Sequence, residues 1–399
     1  MSFDAGGVVA RIADHLCDTA ARDGDRCTWL GTTQEADDGS DEVEFVYGTI
    51  GPELYGGNAG VALFLAEAAR RGGSRRWGET ALAGLGHALD RVDTVPPALC
   101  PSFHLGLVGL VYAAAAVARA LDDDETEERA AALADALVAN AGEGIMTDPL
   151  AGATGAIPAL LSLSERLDRP ALADLALELG RRTVAAASRS DDGWSWPPAI
   201  EAVRPLTGIS HGAAGIGLSL LELGAATGRP EMLEAAHGAF AYEGRWFRPR
   251  EDNWPDFREE DGDPPCCVAW CHGAPGIGLT RLRAVELGFD GYRHEADAAL
   301  RSTRAALADR DGWIDGDWSL CHGRAGLMEV LRYAGEEPLW AAAEDAAERF
   351  GERLEDWPCG VRRGSNPSLM LGLAGIGWCY LGLADPTLSP ILLVPGGRS

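Results

Sequence analysis

Residues 269–279 read AWCHGAPGIGL, and residues 319–328 read SLCHGRAGLM. Each places Cys-His before a glycine, a second glycine three residues on, and then an apolar run. Reduced to Gly-x-x-Gly plus an apolar run, the pattern recurs seven times, with first glycines Gly57, Gly106, Gly152, Gly212, Gly273, Gly323 and Gly372 spaced 46 to 61 residues apart. Self-similarity at such a period marks a repeat architecture, in which each unit buries an apolar face against the next. More charged stretches precede the glycines, such as ETEERAAALADALVAN at 125–140 and EPLWAAAEDAAERFGERLED at 337–356. These have apolar positions at helical spacing and polar opposite faces, whereas the runs after the glycines are apolar nearly all round. The fold class that follows is all-α: an α/α toroid of seven helical hairpins, a double-layered helical barrel. Amphipathic helices form its outer layer, and its inner helices begin at the Gly-x-x-Gly motifs. Glycine at those first turns is expected to let neighbouring helix ends crowd together.

Composition narrows the function classes. The 399 residues carry a formal charge of −27, and all 34 basic residues are arginine. Such a field repels nucleic acid and anionic membranes, so neither is an expected partner. A lysine-free acidic surface suits a salt-rich cytoplasm, where screening removes the self-repulsion; a GC-rich genome would give the same exchange. No apolar stretch of about 18 residues and no basic-then-apolar start are present, so neither membrane insertion nor secretion is expected. The nine cysteines are an odd number spread through the chain. In a reducing cytoplasm, the expected location, clustered thiols signal metal or catalysis and not a disulfide framework.

The repeat register gathers the reactive side chains. One position before the first glycine lie His211, His272 and His322, and two before lie Ser210, Cys271 and Cys321. Asp148 lies four before Gly152. If all seven inner helices start on one rim, these residues meet at one mouth. The other histidines, His15, His87, His104, His237 and His294, are read as structural or surface residues, with His104 out of register. Cys266 and Cys267 follow DGDPP and are read as loop residues without a role. Trp194, Trp196, Trp254, Trp270, Trp313 and Trp318 lead to the mouth and would either line a peptide groove or pack loops onto the rim.

Thiolate and imidazole ligands favour zinc in roughly tetrahedral geometry. From the residues alone three arrangements stand. Cys271, His272, Cys321 and His322 could close a structural site, three of them could leave an open position for chemistry, or the cysteines could simply pack at helix starts.

The stretches LYGGNAGVALFLAEAA (54–69), TGISHGAAGIGLSLL (207–221), NWPDFR (253–258), the two Cys-His-Gly segments and LMLGLAGIGWCYLGLADPTLSPILL (369–393) resemble the lanthionine-forming cyclases. The likeness is to the C-terminal cyclase domain of class II lanthipeptide synthetases and runs from about Trp29 through all seven repeats. It implies one zinc ion on Cys271, Cys321 and His322, with the fourth position open to water or substrate thiolate. It implies His211 as the acid/base residue, supported by Asp148. His272 resembles a residue beside the metal or in proton transfer more than a ligand. The reaction implied is addition of a peptide cysteine thiol to dehydroalanine or dehydrobutyrine, giving a thioether ring on a dehydrated precursor peptide. One departure stands out: some stand-alone relatives carry an arginine four residues before the first zinc cysteine, where this chain has Cys267.

The expected organisation is a single cyclase domain over 1–399, with 1–28 as first outer helix and lead-in and 29–399 as the family-like repeats. No dehydratase domain is expected. A separate dehydratase would then supply the substrate, or the chain is a relict cyclase. The alternative is a non-catalytic or regulatory zinc protein of the same kind that binds glutathione or another thiol. A helical-toroid glycosidase needs two carboxylates across the mouth, and the registered positions supply thiols and imidazoles instead.

Overall fold

The computed structural model describes residues 3–36, 43–140, 146–258, 263–309, 316–336, 340–350, 353–361 and 365–396. Its inner helices are α2 (Asn58–Arg70), α4 (Leu107–Leu121), α6 (Ile157–Arg166), α8 (Ala213–Thr227), α10 (Ala274–Glu286), α12 (Arg324–Tyr333) and α14 (Leu373–Ala384). The outer helices are α1 (Ala5–Thr19), α3 (Arg75–Leu89), α5 (Asp124–Ala139), α7 (Pro170–Ala185), α9 (Pro230–Trp246), α11 (Arg293–Ala308) and α13 (Trp340–Phe350). Each inner helix packs on the next, and α14 packs on α2, so the inner ring closes. The seventh hairpin joins the two ends of the chain, α1 lying against α14. The expected α/α toroid is what forms.

The burial follows the patterning. In α8 and α14 every residue through ten or more positions is buried, whereas α5 buries only Thr126, Ala130 and Ala134, a single stripe at helical spacing. Three antiparallel hairpins lie outside the helical plan: β1 (Ala21–Asp23) with β2 (Arg26–Thr28), β3 (Leu30–Ala36) with β4 (Val43–Thr49), and β5 (Ser188–Ser190) with β6 (Gly193–Ser195). After α14 the chain turns back. Leu388 and Ile391–Leu393 are buried, and main-chain groups here bond Arg332 on α12, Trp270 before α10 and Glu222 on α8.

The role of the glycines differs from the expectation. A Cβ on the second glycine of any of the seven motifs would come within 1.8–2.2 Å of the carbonyl oxygen six residues upstream. The closest partner is thus the motif's own loop, folded back over the helix start. Crowding by the neighbouring repeat is the second contact, as where Gly276 meets Ile209 and Gly60 meets Leu369.

That fold-back aligns the loops into a ring. In six of the seven repeats the residue two before the first glycine donates its N–H to the carbonyl of its counterpart in the next repeat. Leu150 bonds Ser210 at 2.8 Å, Ser210 bonds Cys271 at 3.3 Å, and Cys271 bonds Cys321 at 3.2 Å. Cys321 then bonds Met370 at 3.0 Å, Met370 bonds Tyr55 at 2.9 Å, and Tyr55 bonds His104 at 3.0 Å. The seventh link is made by a side chain, the Ser102 hydroxyl donating to the Leu150 carbonyl at 2.7 Å. His104 therefore stands in register with Ser210 and the two cysteines, which corrects its placement out of register. The shared position is two before the glycine, and the histidine pattern one before it had obscured this.

Candidate active site

The ring puts Cys271 and Cys321 side by side, joined through the Cys271 N–H and the Cys321 carbonyl. The neighbouring Cys321 thiol, and after it burial, pushes the Cys271 thiol well above its ordinary value. The Tyr55 hydroxyl donates to Cys321 Sγ at 2.9 Å. His322 follows Cys321, and its Nδ1 bonds the Asp317 carboxylate, leaving Nε2 as its free nitrogen. Burial opposes charging of His322, but the Asp317 carboxylate more than offsets it and the net shift is upward. Gly360 packs against the edge of this ring, where a Cβ would lie 2.7 Å from His322 Cε1.

A second cluster sits on the adjoining repeats. His211 Nδ1 lies 2.9 Å from Asp148 Oδ2. Asp148 is buried, and its other oxygen accepts from the Leu150 and Ala151 amides at 2.9 and 2.7 Å. The carboxylate is thus fixed by its own loop before it meets the imidazole. The rings of His211 and His272 lie 5.9 Å apart between centroids, inclined by 30°. His272 is buried, with Nε2 3.4 Å from Ser210 Oγ and Nδ1 3.9 Å from Asp256. Burial, reinforced by the Arg258 charge, pushes its imidazole down to about 3, so it is neutral near neutral pH. Arg258 Nε bonds both oxygens of Asp256 at 3.0 Å, and its field lowers the cost of ionising Cys271.

All six residues singled out in the sequence, Asp148, His211, Cys271, His272, Cys321 and His322, lie on the loops of this one rim. Sequence reasoning missed four neighbours. Tyr55 occupies the cysteines' own register position in the first repeat, a signal that could have found it. Asp317 sits five residues before His322, and Asp256 and Arg258 are the last acidic and basic residues of the quoted NWPDFR. Five of the six tryptophans named from the sequence are described, and each is engaged in packing or a hydrogen bond. Trp196, Trp254 and Trp270 donate their indole N–H to Thr183, Glu243 and Leu392 carbonyls, Trp318 stacks edge-on against Trp357, and Trp194 lies under Arg189. Trp313 lies outside the described residues. His104 is half-buried and packs edge-on against Trp270, with ring centroids 5.5 Å apart and its Nδ1 enclosed without a partner. His15, His87, His237 and His294 are on outer helices, as expected. Cys266 and Cys267 are half-buried loop thiols.

Among the described residues, no three His, Cys, Asp or Glu side chains are already drawn together as a ready cage for a metal ion. The donor set itself fits zinc. Two adjacent thiols and an imidazole whose other nitrogen is held by a carboxylate are the ligand chemistry, and the outer partner, of open zinc sites. No described helix is long and apolar enough to cross a membrane.

The family model for lanthionine synthetase C-like protein matches residues 49–394. Among solved structures, nisin cyclase is similar over 84% of this chain and 89% of its own, at 19% identity and a TM-score of 0.66. An unsaturated glucuronyl hydrolase from Bacillus sp. GL1 is similar over 77% of this chain and 84% of its own, with 17% identity and a TM-score of 0.48. An α-1,6-mannanase from Salegentibacter sp. HEL1_6 is similar over 97% of this chain and 100% of its own, with 13% identity and a TM-score of 0.46.

Proposed function

The chain belongs to the lanthionine synthetase C-like family, and from that premise we propose that it is a zinc-dependent lanthipeptide cyclase. Its substrate would be a dehydrated precursor peptide, and its product a (methyl)lanthionine thioether. The observation that carries this reading is one rim bearing both the Cys271–Cys321 thiol pair and the His211–Asp148 dyad.

Cys271, Cys321 and His322 would hold the ion, His322 through Nε2 because Asp317 occupies Nδ1. Zinc bound there supplies the substrate thiolate at neutral pH, where a free thiol of pKa about 8.5 is mostly protonated. Addition of that sulfur to the β-carbon of the dehydro residue forms the C–S bond and leaves an enolate. His211, its Nδ1–H donated to Asp148, presents the opposite nitrogen to take up the proton the substrate thiol loses and, as the imidazolium, to deliver it to the α-carbon. Such an acid contributes about 10²–10⁴-fold. The fixed Asp148 carboxylate holds the tautomer and stabilises the imidazolium. His272, neutral and beside His211, gives a hydrogen-bonding neighbour that does not compete for the proton. Arg258 and the inner-helix N-termini add positive charge where the enolate develops.

The test is to incubate purified protein with a dehydrated, cysteine-containing peptide, alkylate the remaining thiols and weigh the product. Ring closure faster than the uncatalysed reaction, with about one zinc per chain, is expected. Zinc-loaded protein that does not outpace the uncatalysed reaction sinks the proposal.

A further inference from the structure

Beside the cysteine pair lies a cavity of about 550 Å³ between the first, second and seventh repeats. Ligand sites typically enclose about 300–1,000 Å³. Two of its wall residues are also contacts of the cysteine and histidine cluster. Tyr55 reaches from the cavity to Cys321 Sγ, and Gly360 packs on His322. The remaining wall mixes aliphatic residues, among them Pro52, Leu99 and Leu105, with hydroxyl and amide groups and the carboxyl-bearing Glu53.

Glu53 is unlike the other enclosed glutamates. Glu67 pairs with Arg70 and Arg71, Glu222 with Arg283, Glu243 with Arg281, and Glu329 with Arg332. No arginine pairs with Glu53 among the described residues, although burial raises its pKa and disfavours its charge. The carboxylate folds back over its own loop, where a Cβ on Gly51 would lie 2.1 Å from its Oε2 and one on Gly56 3.1 Å from its Oε1. A carboxylate fixed this way keeps lone pairs for a further donor. The aliphatic part of the wall suits the methylene stem that lysine and arginine carry behind their charge.

We propose that this cavity is a subsite for a basic side chain of the substrate peptide, with Glu53 as its counter-ion. Resting on the cyclase reading, the inference adds a substrate class: peptides with lysine or arginine near the reacting cysteine. Glu53 is two residues from Tyr55, so the two Cα atoms lie within about 7 Å. An extended peptide advances roughly 3.3–3.6 Å per residue. A basic side chain within about three residues of the cysteine therefore reaches the carboxylate while the thiol sits at the Cys271–Cys321 pair.

The experiment uses zinc-loaded protein and two unreactive peptides of identical composition, with serine in place of the dehydro residue. One carries lysine two residues from the cysteine, the other ten residues away, so attraction to the protein's net charge is the same for both. Fluorescence anisotropy should show the near-lysine peptide binding about tenfold tighter, the size of one charge-assisted hydrogen bond. Glu53→Gln should erase that difference while leaving the far-lysine peptide and the zinc content unchanged. Leu105→Arg, which supplies Glu53 with an internal cation, should erase it too. Equal binding of the two peptides to the unmodified protein overturns the subsite, as does a Glu53→Gln variant that weakens both alike. Because the peptides are unreactive, a positional preference without thioether formation from the dehydrated forms would remove the cyclase reading and leave the subsite standing.

Discussion

Replacing Gly276 by alanine tests how the rim is built. Gly276 lies in the first turn of α10, where alanine is worth about 1 kcal/mol more than glycine by helix propensity alone. Propensity therefore predicts a more stable protein. The structure predicts the opposite sign: the added Cβ would lie 2.0 Å from the Trp270 carbonyl oxygen and 2.5 Å from Ile209 Cγ2. The first approach is roughly 1.5 Å short of ordinary contact. Relief requires the loop before α10 to lift, and this loop carries Cys271 and His272 and makes the N–H bond from Cys271 to Cys321. Overpacking of this kind costs about 1–3 kcal/mol beyond the propensity gain. A displacement on the order of 1 Å at a catalytic site can cost about 10²-fold in rate. Gly78→Ala on α3 is the control, because its nearest neighbour is the end of the flexible Leu121 side chain at 3.1 Å. Urea unfolding should place Gly276→Ala below the parent protein and Gly78→Ala level with it or above. A Gly276→Ala protein as stable as Gly78→Ala would refute the fold-back account of the rim.

Other consequences are equally direct. Burial pushes His104 from 6.5 down to about 4, so between those values the unfolded chain binds the extra proton. Its contribution therefore falls as pH falls through that window, by about 3 kcal/mol in total; His104→Phe should flatten the pH dependence of unfolding there. Asp148→Asn removes the acceptor for His211 Nδ1 and should lower the cyclisation rate by about 10²–10⁴-fold while zinc stays stoichiometric; an unchanged rate would exclude the dyad. Tyr55→Phe deletes the hydroxyl on Cys321 Sγ and should shift the sulfur-to-metal charge-transfer band of the cobalt-substituted protein to lower energy. An unchanged band would mean that hydroxyl does not act on the sulfur.

The helical layers and the rim were legible because they live in side-chain chemistry. Apolar runs after glycine signal an inner layer, and charged amphipathic stretches such as 125–140 signal an outer one. The three thiol and imidazole loops were legible because identical register in a closed ring brings identical positions together. The hydrogen-bonded ring was not, since it is made by main-chain groups that any residue carries. That is why the register position that Tyr55 and His104 share with the cysteines does not show in the sequence. Asp317 was hidden for a different reason. Its distance from His322 along the chain has no regular period, and only the loop's path brings carboxylate to imidazole. The hairpins from Ala21 to Thr28 and Ser188 to Ser195 are too short, and too polar on their first strands, to show alternation.

The proton delivered to the α-carbon is the most direct test of the central claim. Single-turnover cyclisation in deuterium oxide, followed by chiral analysis of the hydrolysed product, reads both its source and its face. Delivery from His211 predicts one deuteron at the α-carbon in a single configuration, formed faster than the uncatalysed ring. His211→Asn should keep zinc and lose both the rate and the facial selectivity. A product of mixed configuration at the uncatalysed rate, from zinc-loaded parent protein, would contradict the account.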